Sequence, residues 1–320
     1  VDIGGTKVLG VVLDIDAPEG GPVAHARRPT PRGAGSLVAT IADVVHEVMD
    51  RAGGPESVAI GVGLPGLIDR DGVLRMGPNL PGIVDLDVEE ALADVLGRPV
   101  VVDNDANCAA WAEHRLGASQ GHDHALLVTL GTGIGAGIIA DRRLLTGAHG
   151  MAAEPGHMIV DPAGPRCPCG QRGCWERYAS GSGLGFLARE AALAGRADAV
   201  VALAGGDPEA VRGEHVTAEA RRGDPEALAV VASFGWWVAL GLANLVNVLD
   251  PAVVVLGGGL VTEADLFLAP TRRAFAGLVL AGPHRPEVPI VAAQTGEQAG
   301  ALGAALLAAE RGWGPGGVNR

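Results

Sequence analysis

Apolar positions along the chain switch between a period of two and a period of about three and a half. The switches outline an alternating order of strands and helices. Val1-Asp-Ile3 reads as the end of a strand, Gly4-Gly5-Thr6-Lys7 as a turn, and residues 8–13 as a second apolar strand, together a hairpin. Leu37, Ile41, Val44, Val45 and Val48 form a helical stripe within 36–52, with Ser36 placed to cap it. Residues 58–64 predict a strand closed by Pro65-Gly66, and 88–96 a helix. Residues 99–102 predict a short buried strand that runs into Asp103-Asn104-Asp105, and 107–116 a helix. This order predicts a parallel or mixed sheet covered by helices.

The second half restarts the theme. Residues 125–130 read as a strand, Gly131-Thr-Gly-Ile-Gly135 as a turn, and 136–140 as a returning strand. The two hairpins share a plan of strand, Gly/Thr turn and second strand with small residues near the turn. Two lobes that each offer a glycine turn suggest a phosphate gripped between them. Residues 251–259 predict a third buried strand ending in glycines, and a helix from about 297 to 309 closes the pattern. The polar stretch 195–225 predicts short helices and loops and carries no legible chemistry. Residues 227–249 contain no charge, yet Ser233, Asn244, Asn247 and several small residues interrupt them, and no basic cluster flanks them. They predict a packed helix of a soluble domain rather than a membrane span. The expected organisation is an N-terminal lobe over 1–115, a C-terminal lobe over 116–297, and a last segment, 298–320, packing back toward the first lobe.

Composition narrows the picture. Glycine supplies 50 of 320 residues without a Gly-X-Y period, while 48% of residues are apolar and 19% charged. That excludes collagen and disorder and places the glycines in turns where the backbone approaches something closely. The net charge of −13, with no Lys/Arg run, disfavours nucleic acid. Ten aromatics are too few for an extended stacking surface. No leader pattern is visible, which suggests a cytoplasmic protein, and Val1 falls inside a strand, so the native start is expected upstream.

Three constellations carry candidate chemistry. The turns at Gly4, Gly5 and Thr6 and at Gly131, Thr132 and Gly133 could each present convergent N–H groups to a phosphate, with Asp2 beside the first to organise Mg²⁺. Ordinary hairpin turns are the alternative. Neither turn has P-loop or dinucleotide spacing. Asp103-Asn104-Asp105-Ala106-Asn107 lies at a strand's C-terminal end, where open α/β sheets place ligands. A carboxylate there could take a hydroxyl proton during attack on phosphorus; the alternative is a plain helix N-cap, and both hold if Asp105 or Asn104 caps while its neighbour works. His157 with Cys167, Cys169 and Cys174 has the residue types and spacing of a closed, structural Zn²⁺ site. A disulfide would strand the third thiol. Cys108 reads as a small buried residue. Glu154 and Glu176 flank the cluster, as sugar-hydroxyl acceptors or as surface acids.

Together these residues resemble the ROK family of sugar kinases within the actin/hexokinase-like ATPase superfamily, nearly end to end. The resemblance rests on Asp2-Ile-Gly-Gly-Thr-Lys7, Gly63-Leu-Pro-Gly66, Asn79-Leu-Pro-Gly82, Asn104-Asp105-Ala-Asn107, Leu130-Gly-Thr-Gly-Ile-Gly135, Glu154-Pro-Gly-His157, the cysteine cluster through Glu176, and Leu256-Gly-Gly-Gly259. It implies an α/β, two-lobed fold with a zinc-stapled insertion and an ATP-dependent hexokinase, most like the bacterial glucokinases. It implies Asp105 as general base toward the 6-hydroxyl, and Gly66, Asn79, Asn104, Asp105, Glu154, His157 and Glu176 around the sugar. Asp2, Gly4, Gly5, Thr6, Lys7, Gly131, Thr132, Gly133, Gly257, Gly258 and Gly259 would surround ATP and catalytic Mg²⁺. His157, Cys167, Cys169 and Cys174 would hold structural Zn²⁺, His157 serving the sugar as well. The implied partners are glucose or a related hexose, ATP or polyphosphate, and a second copy of the chain in a homodimer or homotetramer. Asp103 stands where many bacterial glucokinases of this type have Glu, and N-acetylmannosamine kinases share Asp-Asn-Asp, so that position leaves the sugar open. An N-acetylmannosamine kinase, a fructokinase and a ROK-type sugar-responsive regulator are the alternatives on this scaffold.

Overall fold

The computed structural model describes residues 1–55, 57–77 and 80–312. It divides into two compact units. The first comprises 1–127, 137–153 and 293–312; the second comprises 128–136 and 154–292.

The first unit opens with β1 (Asp2–Ile3), β2 (Lys7–Leu13) and β3 (Pro22–Pro29), followed by α1 (Ala34–Arg51) and β4 (Ile60–Leu64). Three short strands, β5 (Leu67–Ile68), β6 (Val73–Met76) and β7 (Val84–Asp87), make a small antiparallel sheet. Then come α2 (Val88–Leu96), β8 (Val100–Asn104) and α3 (Asp105–Leu116). The main sheet has the order β3-β2-β1-β4-β8, antiparallel at the hairpin and parallel from β1 to β8. Its core joins Ile3, Val8, Leu64 and Val102 to Leu37, Ile41, Val44 and Val48 of α1. The helical stripe in 36–52 is therefore the packed face. The helix itself starts two residues earlier than its pattern, with Gly33 at φ +86° as N-cap and no side-chain cap, so Ser36 lies inside the first turn. β3 escaped the sequence reading because its inward positions are Ala24 and Ala26, which bury little area and give a weak period.

Two strands follow, β9 (Ala125–Leu130) and β10 (Ile134–Ala140), then β11 (Arg143–Leu144). The second unit holds α4 (Glu176–Ala179), α5 (Gly181–Leu193), α6 (Asp198–Leu203), α7 (Gly213–Arg221), α8 (Pro225–Leu249), β12 (Val253–Gly257), α9 (Ala264–Leu278) and β13 (Ile290–Ala292). The second sheet runs β11-β10-β9-β12-β13. α8 is long and apolar enough to cross a membrane. Phe234, Val238, Leu242 and Val246 are nevertheless buried along it, and α9, α7, α5 and α4 pack against it, as expected of a core helix.

The last helix, α10 (Ala299–Gly312), belongs to the first unit and packs on α3 and β4. Glycines set the closeness of that packing. A Cβ on Gly61 would collide with the Ala304 carbonyl, one on Gly303 with the Cys108 carbonyl, and one on Gly300 with the Asp2 carboxylate. The chain entering α10 is fixed by Glu113 of α3, which is fully buried. Its carboxylate accepts from the backbone N–H groups of Ala118 (2.7 Å), Gln294 (2.9 Å) and Thr295 (2.7 Å) and from the Thr295 hydroxyl. Four donors supply what this charge loses on leaving water.

Candidate active site

The residues singled out from the sequence fall into two groups, one in each unit. In the first unit, parallel pairing of β4 with β8 brings Gly63 opposite Asp103 and Leu64 opposite Asn104. The strand ends there and α3 begins. Asn104 is the N-cap: its Oδ1 accepts from the N–H groups of Ala106 (2.9 Å) and Asn107 (3.1 Å), and its Nδ2 donates to the Gly66 carbonyl at 3.0 Å. Capping and site-building thus coexist, with Asn104 holding the helix and Asp105 beginning it. Gly66 has φ +125° and lies against the backbone of Met76 and Gly77, so only glycine fits.

Asp105 sits near Gly63, as does the carboxylate of Asp2 from β1. Desolvation, reinforced by the Asp2 charge and opposed by the Ala106 N–H, pushes the Asp105 carboxyl up to about 7. Burial likewise raises Asp2 to about 6. A carboxyl poised near neutrality can take a proton and release it again, as a general base must. Asn79 lies outside the described residues.

The turn between β1 and β2 is closed by the Gly4 N–H donating to the Lys7 carbonyl at 2.8 Å. The Thr30 hydroxyl fastens the turn from outside through the Gly4 carbonyl at 2.6 Å. Gly5 and Thr6 are exposed. A Cβ on Gly5 would meet nothing within 4 Å, so no internal packing demands a glycine there. Lys7 Nζ pairs with Glu297 at 2.7 Å, and Arg27 approaches the same carboxylate at 3.3 Å.

In the second unit, the turn after β9 is clamped from α5. The Gly181 N–H donates to the Gly131 carbonyl and the Ser182 hydroxyl to the Thr132 carbonyl, each at 2.8 Å. Gly131 and Gly259 have open space where a Cβ would stand, whereas Gly133 lies against Glu176 and Gly258, at φ +82°, against the Leu130 backbone. Gly257 ends β12 and is buried. A cavity of about 860 Å³ opens beside Gly131, Thr132 and Gly259. Its walls include Arg189, Arg212, Glu214 and Thr217. Residues 195–225 carry no legible chemistry in the sequence, and α7 with its N-cap Arg212 lies on that wall. No motif marks these residues, because only tertiary folding brings α7 to the turn. A second cavity, of about 600 Å³ near Arg272 and Phe275, contains none of the residues singled out.

The metal candidates do converge. His157, Cys167, Cys169 and Cys174 offer ligand atoms that all lie within 4.8 Å of one another. Cys169 Sγ and Cys174 Sγ are 3.6 Å apart, and Cys167 Sγ is 3.8 Å from His157 Nδ1. Bonds of about 2.3 Å to sulfur and about 2.0 Å to nitrogen give tetrahedral edges close to these values. All four cysteines are free thiols, Cys108 among them and buried. The residues therefore fit a closed Cys₃His zinc site. Gly170 (φ +96°) and Gly173 (φ +64°) supply the left-handed turns, and a Cβ on Gly173 would strike the Asp161 carbonyl. The knuckle rests on aromatic packing. Trp175 Nε1 donates to the Trp237 carbonyl at 2.7 Å, Tyr178 stacks on Trp237 at 4.0 Å, and the Tyr178 hydroxyl donates to Asp161 at 2.7 Å. Glu176, opening α4, places Oε1 3.0 Å from Cys167 Sγ. Glu154 immediately precedes the short 3₁₀ turn that carries His157.

Comparison with known proteins gives matches over nearly the full length of the chain. The model of the ROK family matches residues 1–311. The glucokinase of Streptomyces coelicolor is 40% identical over 313 residues, covering 97% of this chain and 96% of that protein. The glucokinase of Thermotoga maritima is 35% identical over 318 residues, with 97% and 96% covered. The crystal structure of a ROK family glucokinase from Streptomyces griseus, in complex with glucose and AMPPNP, superposes with a TM-score of 0.83 at 39% identity, covering 96% of this chain and 97% of that one. The chain belongs to the ROK family and has its actin/hexokinase-like α/β fold.

Proposed function

We propose that the protein is a glucokinase, transferring the terminal phosphoryl group of ATP to the 6-hydroxyl of glucose. The observation that carries this reading is Asp105, a carboxylate at the first position of α3, fixed by the Asn104 cap and poised near neutrality. The full-length similarity to glucokinases supports it.

Asp105 accepts the proton of the 6-hydroxyl as that oxygen attacks the terminal phosphorus. The bond from phosphorus to the bridging oxygen breaks, and ADP leaves with that electron pair. Asn104 orients the sugar with its second amide hydrogen, since the first is spent on Gly66. Glu154, Glu176 and the free ring nitrogen of His157 complete the sugar contacts, with Gly66 and Asn79. Bound Mg²⁺ would neutralise charge on the transferring phosphoryl group, and Asp2 is the residue placed to organise it. The exposed turns at Gly4, Gly5 and Thr6 and at Gly131, Thr132 and Gly133 bind phosphate oxygens, Lys7 adds a charge, and residues 257–259 flank the adenosine. Zn²⁺ would hold the segment bearing Glu154, His157 and Glu176 in shape.

A coupled assay tests the reading with glucose, mannose, N-acetylmannosamine, N-acetylglucosamine and fructose, each with ATP and with polyphosphate. Glucose with ATP is expected to give the highest kcat/KM. Preference for another sugar would reassign the substrate. Turnover on none would remove the kinase reading.

A further inference from the structure

Asp103, the residue before the Asn104-Asp105 pair, takes no part in the chemistry above, yet both of its carboxylate oxygens are engaged. Oδ1 accepts from the Asn104 N–H at 2.8 Å and from Asn107 Nδ2 at 2.9 Å. Oδ2 accepts from Arg311 Nη2 at 2.8 Å. Asp103 is 8% exposed and Asn107 wholly buried, so each has left water and relies on these bonds. The carboxylate therefore grips the residue just before Asp105 and the residue two after it. The cationic partner comes from the last turn of α10, distant in sequence but packed on α3.

We propose that Arg311, acting through Asp103, is a positioning residue for Asp105. The inference rests on the proposed role of Asp105 in phosphoryl transfer. The guanidinium supplies the only cation that bonds this buried carboxylate among the described residues. Without it, Oδ2 keeps a charge with no partner, and the cheapest relief is rotation of the carboxylate toward water. That rotation releases Asn104 and Asn107 together and loosens the first turn of α3. Among the described residues Asp105 has no hydrogen bond or ion pair to α10 of its own, so its carboxylate moves with that turn. Misplacement of a base by about 1 Å costs on the order of 10²-fold in rate.

A neighbouring pair provides an internal control. Arg115 of α3 and Glu310 of α10 form an ion pair between the same two helices without touching Asp103. Arg311→Met is expected to lower kcat at least tenfold while leaving KM for glucose within about twofold, an effect on the transition state rather than on ground-state binding. Arg311→Lys should recover most of that loss. Arg115→Met should leave kcat unchanged. Hydrogen exchange at the Ala106 and Asn107 amides should speed up in Arg311→Met and not in Arg115→Met. An Arg311→Met enzyme with kcat within twofold of the parent, an equal loss in Arg115→Met, or unchanged exchange at the two amides would each overturn the proposal. If Arg311→Met does not fold, Asp103→Asn, which keeps the shape and drops the charge, replaces it with the same expected outcomes. Should the parent phosphorylate no sugar, the kinase reading falls, and the exchange comparison still decides whether Arg311 orders the turn bearing Asp105.

Discussion

Asp105 shows how much of a residue's chemistry is set by its surroundings. Its ordinary value of 3.8 rises to about 7 because the folded chain removes water from it and sets Asp2 beside it. Two consequences follow, with opposite signs. As general base it must be ionised, so kcat/KM should climb with pH and level off above about 7. For stability, the folded state holds this proton to higher pH than the unfolded chain does. Between pH 3.8 and about 7 the folded state thus binds more protons, and its stability falls as pH rises through that window. Asp2, raised to about 6, adds a slope of the same sign. Asp105→Asn should therefore melt above the parent protein at pH 8, and the two should converge below pH 4. Thermal melts at both pH values check this, and a lower melting temperature for Asp105→Asn at pH 8 would contradict it. The sequence placed Asp105 and Asn104 at a strand end and allowed one to cap while its neighbour works, without saying which. The structure gives the cap to Asn104, a division that depends on side-chain geometry and so is absent from the residue types alone.

At the scale of elements, legibility followed distance along the chain. The Cys₃His cluster could be read from spacing because its four residues lie in one short segment and two glycines mark its turns. Its aromatic base could not, because Trp237 comes from α8, and nothing in the sequence pairs it with Trp175 or Tyr178. The space for Trp175 is made by Gly241 of α8, where any Cβ would overlap the indole. The same limit hid the α7 wall of the cavity, and it left the return of the last helix toward the first lobe without its seat on α3. Where a strand is short, as in β5, β6 and β7, or buries only alanines, as in β3, the apolar period is too weak to register. Zinc content tests the knuckle: metal analysis of the folded protein should find about one zinc per chain, and Cys169→Ser should lose it. Removing the metal should also shift tryptophan fluorescence, because Trp175 directly follows Cys174. A folded, fully active protein with no zinc would refute the site.

For the whole molecule, the internal repeat carried most of the information. Two strand–Gly/Thr turn–strand hairpins announced two glycine-lined turns, and the structure builds one into each compact unit. The glycine excess divides by physical cause. Gly61, Gly300 and Gly303 admit α10, Gly66 and Gly173 hold left-handed turns, and Gly5, Gly131 and Gly259 have open space where a Cβ would stand. Unit boundaries were less legible, since the chain enters and leaves the first unit more than once and returns to it for α10. These features meet in the proposal that Asp105 accepts the glucose 6-hydroxyl proton during phosphoryl transfer from ATP. The most direct test measures glucose 6-phosphate formation and glucose binding side by side, at pH 8, for the parent protein and Asp105→Asn. Asp105→Asn is expected to bind glucose within a few-fold of the parent and to lose about 10²- to 10⁴-fold or more in kcat. Near-full turnover by Asp105→Asn would contradict it.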